Sequence, residues 1–465
     1  MKIKNFQPRV CSLQSQTSQA EKGMVYMFFD KKIDEKLHTG SVLVGYDLNN
    51  DFAQISYCVY GDNSEEVETI ATVLGTKQYN IPLVLCKLKG GGKWLYGKEA
   101  LNSNDEEAFF VTDIMELARK GEMITIEEET FDPVALLALF IKRSLSLMNF
   151  ITLPENIGAI MFTVDKLDDR MVEILAKATA NVNLKTSHIY FQTHTDSFYY
   201  FILHQPEDLW NYQVLACEHN GRILKTYRME RNKKTTPIVV LIEEKAYDNV
   251  KLPDEDEDDE VKASIYRLAD ENFMDILKVQ CDERIVSCAY LLGDGFRNDW
   301  AKESMRFLCR NRRAFQGNNL FSKGACFGIL ERLEPSEVGK EHIFLSADKL
   351  KANVGMNVRR RGKQSYYALL DAGENWYEVH KECEFLLPGE ENTISFVITP
   401  LTGKRAEVQE IVLEGAPVRE GAFSRYEMEI SMSSVEYMEA KITDLGFGEL
   451  FPAAGKVWRK QFEVL

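Results

Sequence analysis

Paired cysteines are missing from this chain. Its nine cysteines (Cys11, Cys58, Cys86, Cys217, Cys281, Cys288, Cys309, Cys326 and Cys383) form no CxxC pair, and their number is odd. That excludes a regular disulfide framework and fits free thiols in a reducing compartment, most of them acting as small buried apolar residues. The seven histidines make no HxxxH spacing and no Cys/His cluster, so a metal site has no support of that kind. Long apolar runs are also missing. The most apolar stretch, Val134–Ile141, stops at Lys142 and Arg143, far short of the roughly 20 residues that span a bilayer. Met1–Gln19 is polar and lacks the apolar centre of a signal peptide.

Positive charge is scarce. Lys and Arg number 56 against 72 Asp and Glu, a formal net charge of −16. A nucleic-acid binder needs a basic face to neutralise phosphates, and an anionic membrane surface attracts basic segments. Both partners are therefore excluded, and a soluble, cytoplasmic protein is expected. Common catalytic signatures are absent too. Gly90–Gly92 is not followed by GK[ST], so it is no phosphate loop of that type. There is no GxSxG. Cys217 and His219 would share a strand face, but no third group orients them as a nucleophile and base.

What is present is a long chain with ordered alternation. Its 465 residues suggest two or three domains. Residues 1–40 are polar without clear periodicity and read as an N-terminal extension, at most partly ordered. From Ser41 the pattern is hairpin (Ser41–Asp47, Phe52–Tyr60), strand (Ile81–Leu88), buried helix opened by Asp132–Pro133, strand (Gly158–Val164), helix (Leu167–Ala180), strand (His188–Gln192), and a helix from Asp196 toward His204. The same order then recurs. It runs through a hairpin (Tyr212–Cys217, Ile223–Arg228), a strand (Pro237–Ile242), a helix (Val261–Val279) and a strand (Ile285–Leu292). Helices near Asn298–Arg310 and Phe321–Leu330 close it. An internal repeat of strands and helices predicts two α/β lobes, about 41–205 and 206–333. Beyond Glu334 come short alternating segments, among them Ser365–Leu370, Thr393–Ile398, Glu407–Leu413 and Tyr426–Ser431. They predict a β-sandwich domain over 334–465. Two charge runs remain: Asp254–Glu260, seven consecutive acidic residues, and the basic Arg359–Arg361 with Lys363. Both read first as solvated surface, and the acidic run secondly as a docking site for a basic partner.

Four segments carry a family resemblance. GYDLNND (Gly45–Asp51) resembles the first phosphate loop of the actin and seventy-kilodalton heat-shock chaperone superfamily. ACEHNGR (Ala216–Arg222) stands where its second phosphate loop falls. LLGDGF (Leu291–Phe296) resembles the adenosine turn, and KGACFG (Lys323–Gly328) the small-residue connecting helix. The chain thus resembles a divergent bacterial branch of that superfamily. The resemblance implies a duplicated actin-like (ribonuclease-H-like) ATPase fold over 41–333, with a chaperone substrate-domain-like β-sandwich behind it. It also implies ATP or ADP with Mg²⁺ as cofactor. Asp47, Asn49, Asn50, Gly221, Arg222, Gly293, Asp294 and Gly295 would bind the nucleotide, Asp47 and Glu218 would hold the metal through water, and Asp47, Glu218 and Asp196 would serve catalysis.

Against that pattern the sequence departs repeatedly. Asn49 replaces the cradle glycine. Asp51 stands where a hydroxyl should meet phosphate, and a unit charge pair at about 4 Å costs on the order of 4 kcal/mol at a surface-like dielectric. The family's lysine should follow the turn Gly97–Ala100, where Leu101 stands, and Lys98 is three residues early. The catalytic glutamate falls near Thr193, with Asp196 off register. The second loop keeps only Gly221, beside bulky His219 and Arg222. These departures favour a chaperone-like binding or scaffold protein with a degenerate nucleotide clamp, little or no hydrolysis, no cofactor as the alternative, and a protein or peptide partner. The competing expectations are a rewired chaperone-type ATPase and, more remotely, an actin-like filament former.

Overall fold

The strand runs that drew attention in the sequence form because they are apolar enough to be covered on both faces. Val42–Leu48 is buried at every residue, as expected of a central strand with a parallel neighbour. The structure is a computed structural model describing residues 25–30 and 37–464, apart from short breaks at 62–65, 74, 105, 283–284, 347, 361–362, 402–404, 420 and 450. Most of the N-terminal extension, and Arg361 of the basic run, lie outside the described residues. The chain is a mixed α/β protein of two units: Glu35–Ser346, and Ala347–Leu465 together with the N-terminal segment. No helix among the described residues is long and apolar enough to cross a membrane.

The N-terminal segment holds the first strand, β1 (Val25–Asp30), which belongs to the sheet of the Ala347–Leu465 unit. The Glu35–Ser346 unit contains two main sheets. The first comprises β2 (Val42–Leu48), β3 (Phe52–Val59), β4 (Glu68–Thr69), β5 (Ile157–Val164) and β6 (Ile189–Thr193), in the order β6-β5-β2-β3-β4, with the short strand Ile81–Pro82 also on β3. Its helices are α1 (Pro133–Leu145), α2 (Asp169–Val182) and α3 (His194–Leu203). The second comprises β7 (Gln213–His219), β8 (Leu224–Asn232), β9 (Ile238–Tyr247), β10 (Val286–Leu292) and β11 (Arg313–Gln316), in the order β11-β10-β7-β8-β9. Its helices are α4 (Asp259–Cys281), α5 (Lys302–Leu308) and α6 (Leu320–Leu333). In both sheets the opening hairpin is antiparallel and the two later strands are parallel to its first strand and to each other.

Local chemistry explains the helix starts. The Asp132 carboxylate accepts from the Val134 N–H with Pro133 at the first helical position. Thr193 and Asp196 form a reciprocal capping box at α3. The closing helices cross over. α3 buries Phe198, Tyr199, Ile202 and Leu203 in the core around Val214, Tyr227 and Met229 of the second sheet. α6 lies on the first sheet, so close that a Cβ on Gly45 would fall 2.1 Å from the Ser322 carbonyl oxygen. The two helices also touch directly, since a Cβ on Gly324 would fall 1.9 Å from the Ser197 carbonyl oxygen. Glycine is required at such close backbone approaches because any side chain would part the elements.

Two expectations are corrected here. Ile81–Leu88 is not one strand. It breaks into Ile81–Pro82 and Leu85–Leu88 in different sheets, because Pro82 has no N–H for a ladder. The second domain does not begin at Glu334, since β12 (His342–Phe344) extends the second sheet beside β9, which moves the boundary to Ala347.

That sheet has nine strands. They are β1, β13 (Ala352–Arg360), β14 (Lys363–Leu370), β15 (His380–Pro388), β16 (Thr393–Pro400), β17 (Glu407–Val412), β18 (Phe423–Met432), β19 (Tyr437–Gly446) and β20 (Val457–Glu463). The order is β17-β16-β13-β1-β15-β18-β19-β20, with β14 also on β13. The strands expected in two layers thus share one hydrogen-bonded network. Its two ends meet across a single core: the rings of Phe396 (β16) and Phe462 (β20) are 5.2 Å apart, and the Trp458 indole N–H donates to the Glu414 carbonyl. β18 and β19 alternate buried and outward residues along their length, the pattern of a half-covered strand.

Candidate functional site

The two hairpin tips end in like-built turns. Between β2 and β3, the Asn49 side-chain oxygen accepts from the N–H groups of Asp51 (2.9 Å) and Phe52 (2.8 Å). Between β7 and β8, Asn220 does the same for Arg222 (3.1 Å) and Ile223 (2.9 Å). The Gly221 N–H, at a φ of +95°, donates to His219 Nδ1 at 3.0 Å. An asparagine that caps its own turn is locally stable, but it consumes the donors an anion cradle needs. Asn49 is therefore a turn-capping residue, the Gly221 N–H is spent on His219, and Asn50, Asp51 and Arg222 are exposed at the tips.

Beneath the tips lies a polar cluster drawn from both sheets. Asp47, at the end of β2, is buried, and its Oδ1 lies 2.8 Å from His194 Nε2. The His194 ring stacks on Phe321 of α6 at 4.2 Å and 5°. Its Nδ1 is buried without a hydrogen-bond partner, so Nε2 carries the donated proton. Burial pulls the imidazolium toward deprotonation, but the Asp47 charge and hydrogen bond more than offset it and hold the group above its usual value. Glu218, near the end of β7, accepts from the Tyr227 hydroxyl at 2.9 Å, and burial lifts its carboxyl above the usual range. Lys225 pairs with Asp165, just past β5. Burial opposes both charges, yet the pairing raises the ammonium and lowers the carboxyl.

Each of the three carboxylates thus has a donor from the protein itself. Two are cations, His194 and Lys225. The remaining counter-charge a magnesium ion would supply is already present as side chains. Among the described residues no group of three or more His, Cys, Asp or Glu is placed to hold a metal. Asp47 Oδ1 and Glu218 Oε2 are thus engaged by His194 and Tyr227, and the hairpin-tip amides by Asn49, Asn220 and His219.

Asp196 is engaged as a helix cap. Its Oδ2 accepts from the Thr193 N–H (3.1 Å) and hydroxyl (2.6 Å), closing the capping box. Lys98 is exposed and donates to Gln78 at 2.7 Å. The Gly293–Gly295 turn does keep its permissive backbone, but His219 fills the room. A Cβ on Gly293 would lie 2.4 Å from the His219 carbonyl oxygen, and one on Gly295 would lie 1.9 Å from His219 Nδ1. Asp294 accepts from Asn80 (3.0 Å), which accepts in turn from Gln54 of β3 (2.6 Å), so a polar chain ties this turn to the first sheet. The Cys217–His219 dyad is not formed. His219 uses Nδ1 on Gly221 and donates from Nε2 to the Val250 carbonyl at 2.7 Å, while burial pushes the Cys217 thiol up. In the acidic run, Asp259 and Glu260 open α4, where carboxylates suit the positive helix end.

Sequence reading missed His194, Lys225 and Asp165. A signal existed for two of them. Asp165 follows a strand end, as Asp47 closes one, and His194 is the first residue of a helix that starts at a strand end. Lys225 carried none, since its partner is 60 residues away.

A mixed α/β unit with two main sheets, joined to an all-β unit, is the class these features define. Residues 66–347 match the family described as "Family of unknown function (DUF5716) C-terminal". That match covers more than half of the chain, which belongs to this family. Residues 349–464 match the "Domain of unknown function (DUF8552)". The two matches meet where the structure divides. No curated protein matches the chain.

Proposed function

We propose that this chain is a chaperone-like binding or scaffold protein, built on a divergent actin-like clamp whose nucleotide chemistry has been replaced by internal pairing. The two sheets with one order of connection, and the closing helices that cross between them, support the duplicated-clamp reading. The nine-stranded sheet whose two ends share one core supports a sandwich-like second domain. One observation carries the functional conclusion. Both tips spend their backbone donors on Asn49, Asn220 and His219, and Asp47 is committed to His194. The protein would act in the cytoplasm through a protein or peptide partner.

The test is calorimetry and thermal shift with ATP–Mg²⁺. A ligand at a hundred times its Kd stabilises the folded state by about 2.7 kcal/mol. No shift at millimolar ATP–Mg²⁺ is expected. Micromolar binding with phosphate release would replace this reading with the rewired ATPase.

A further inference from the structure

Two buried thiols meet where α6 lies on the first sheet. The hydroxyls of Ser56 on β3 and Ser322 on α6 set the register, hydrogen-bonding at 2.8 Å. From that bond, two residues along β3 advance about 6.8 Å on the same face of the strand, and four residues along α6 advance about 6.0 Å on the same face of the helix. Those steps lead from Ser56 to Cys58 and from Ser322 to Cys326, so the second pair meets as the first does. The two thiols are hydrogen-bonded to each other. Both are free and buried, Cys58 at 4% exposure and Cys326 at 0%. β2 holds them from beneath. Leu43 pairs with Cys58 in the β2–β3 ladder, and its carbonyl oxygen lies 4.0 Å from Cys326 Sγ. Gly45, opposite Ser56, lets α6 approach, since a Cβ there would fall 2.7 Å from the Cys326 backbone nitrogen.

A buried cysteine packs as a small hydrophobe, and its redox chemistry is what sets it apart from one. We propose that Cys58 and Cys326 are a dithiol–disulfide modification site, closed by a peroxide, that ties α6 to the first sheet when oxidised. Cys58 is the less covered of the two and reacts first. Its thiolate attacks a peroxide oxygen, the O–O bond breaks, and a sulfenic acid and hydroxide form. The Cys326 thiolate then attacks the Cys58 sulfur, the S–O bond breaks, and a second hydroxide leaves. The two thiol protons convert both hydroxides to water. Two thiols thus lose two electrons, and one hydrogen peroxide becomes two waters. Burial holds the Cys326 thiol well above its usual range, and only the thiolate attacks. The pair is therefore protected at rest and closes through brief openings of this sheet. None of this depends on whether the clamp binds nucleotide.

The experiment uses full-length protein carrying Cys11→Ser and Cys309→Ser. It is held with hydrogen peroxide, both in buffer and in urea below its unfolding transition. Remaining thiols are then alkylated in denaturant, and the peptides are mapped by mass without reductant. A peptide pair joining Cys58 to Cys326, short by two hydrogens, is the expected product. It should form at a rate independent of protein concentration, form faster in urea, and disappear with dithiothreitol. Tm should rise on oxidation, and should not rise in Cys58→Ser or Cys326→Ser. The proposal is overturned if both cysteines are still thiols in both solvents, if each proceeds separately to sulfinic acid, if they link to other cysteines, or if the linked protein melts no higher. Should the serine variants misfold, the peptide map and Tm of the parent protein decide the matter.

Discussion

Removing the Asp47 carboxylate should expose what it does. Asp47→Ala leaves His194 Nε2 buried beside Phe321 with no acceptor. Breaking a buried charged hydrogen bond from one side costs about 3 kcal/mol, and up to about 5 where the orphaned charge stays buried. In Asp47→Asn/His194→Gln both charges go together, so the cycle should show a coupling of about 2 kcal/mol. The pH dependence has a definite sign. The folded imidazolium titrates above the unfolded value of about 6.5. The ion-pair contribution is therefore complete below that value and fades as pH rises through the folded pKa. The carboxyls of Glu218 and Asp165 act on His194 in the same direction, so neither cancels the trend. The assay is hydrogen exchange on β2 peptides, which reports opening of this sheet without assuming that the two units unfold together. The cost of Asp47→Asn should be largest near pH 6 and shrink toward pH 9. A cost below about 0.5 kcal/mol at both pH values, together with loss of ATP–Mg²⁺ binding, would refute the structural role of Asp47.

Three further outcomes follow from other contacts. Gly324→Ala puts a methyl 1.9 Å from a backbone oxygen of α3 and should cost at least the roughly 1–3 kcal/mol of an overpacked core, read as a fall in Tm. Asp196→Asn should weaken α3 by about 1 kcal/mol while Asp196→Glu restores it, because glutamate serves the same capping box; a catalytic carboxylate would tolerate neither. In the Ala347–Leu465 unit, buried Arg419 grips both oxygens of Asp444 at 3.1 Å. Burial would raise that carboxyl, but Arg419 and the amides of Ala454 and Gly446 bring it below the usual range. Its contribution holds above about pH 4 and is lost as pH falls through the folded pKa. Asp444→Ala should cost about 3–5 kcal/mol at neutral pH, and less in acid, by urea unfolding.

Much of the Glu35–Ser346 unit was legible because its signals are local. The burial of Val42–Leu48, the Asp132–Pro133 helix start and the glycines of α6 follow from residues within a few positions of one another. The site was legible only as a location. Asn49 was visible as a lost glycine, yet its gain, capping Asp51 and Phe52, shows only in three dimensions. His194 reaches Asp47 across 147 positions, and no period or spacing marks such a pair. Asp196 misled because a carboxylate near a strand end suits a helix cap as well as catalysis. β1 was missed because strand pairing across the whole chain leaves no local pattern. The β-sandwich was expected from alternation, which reports that one face is covered but not which strands share a ladder.

The position of β1 also orders the events of synthesis. The strand is translated before the Glu35–Ser346 unit, but β13 and β15 follow it by more than three hundred residues. At 5–20 residues per second that interval is on the order of 15–70 s. Through it an apolar segment, VYMFFD, must wait while the Glu35–Ser346 unit is made. The all-β unit is thus finished by a strand translated ahead of the Glu35–Ser346 unit, and chains truncated before β13 would carry that strand without its partners.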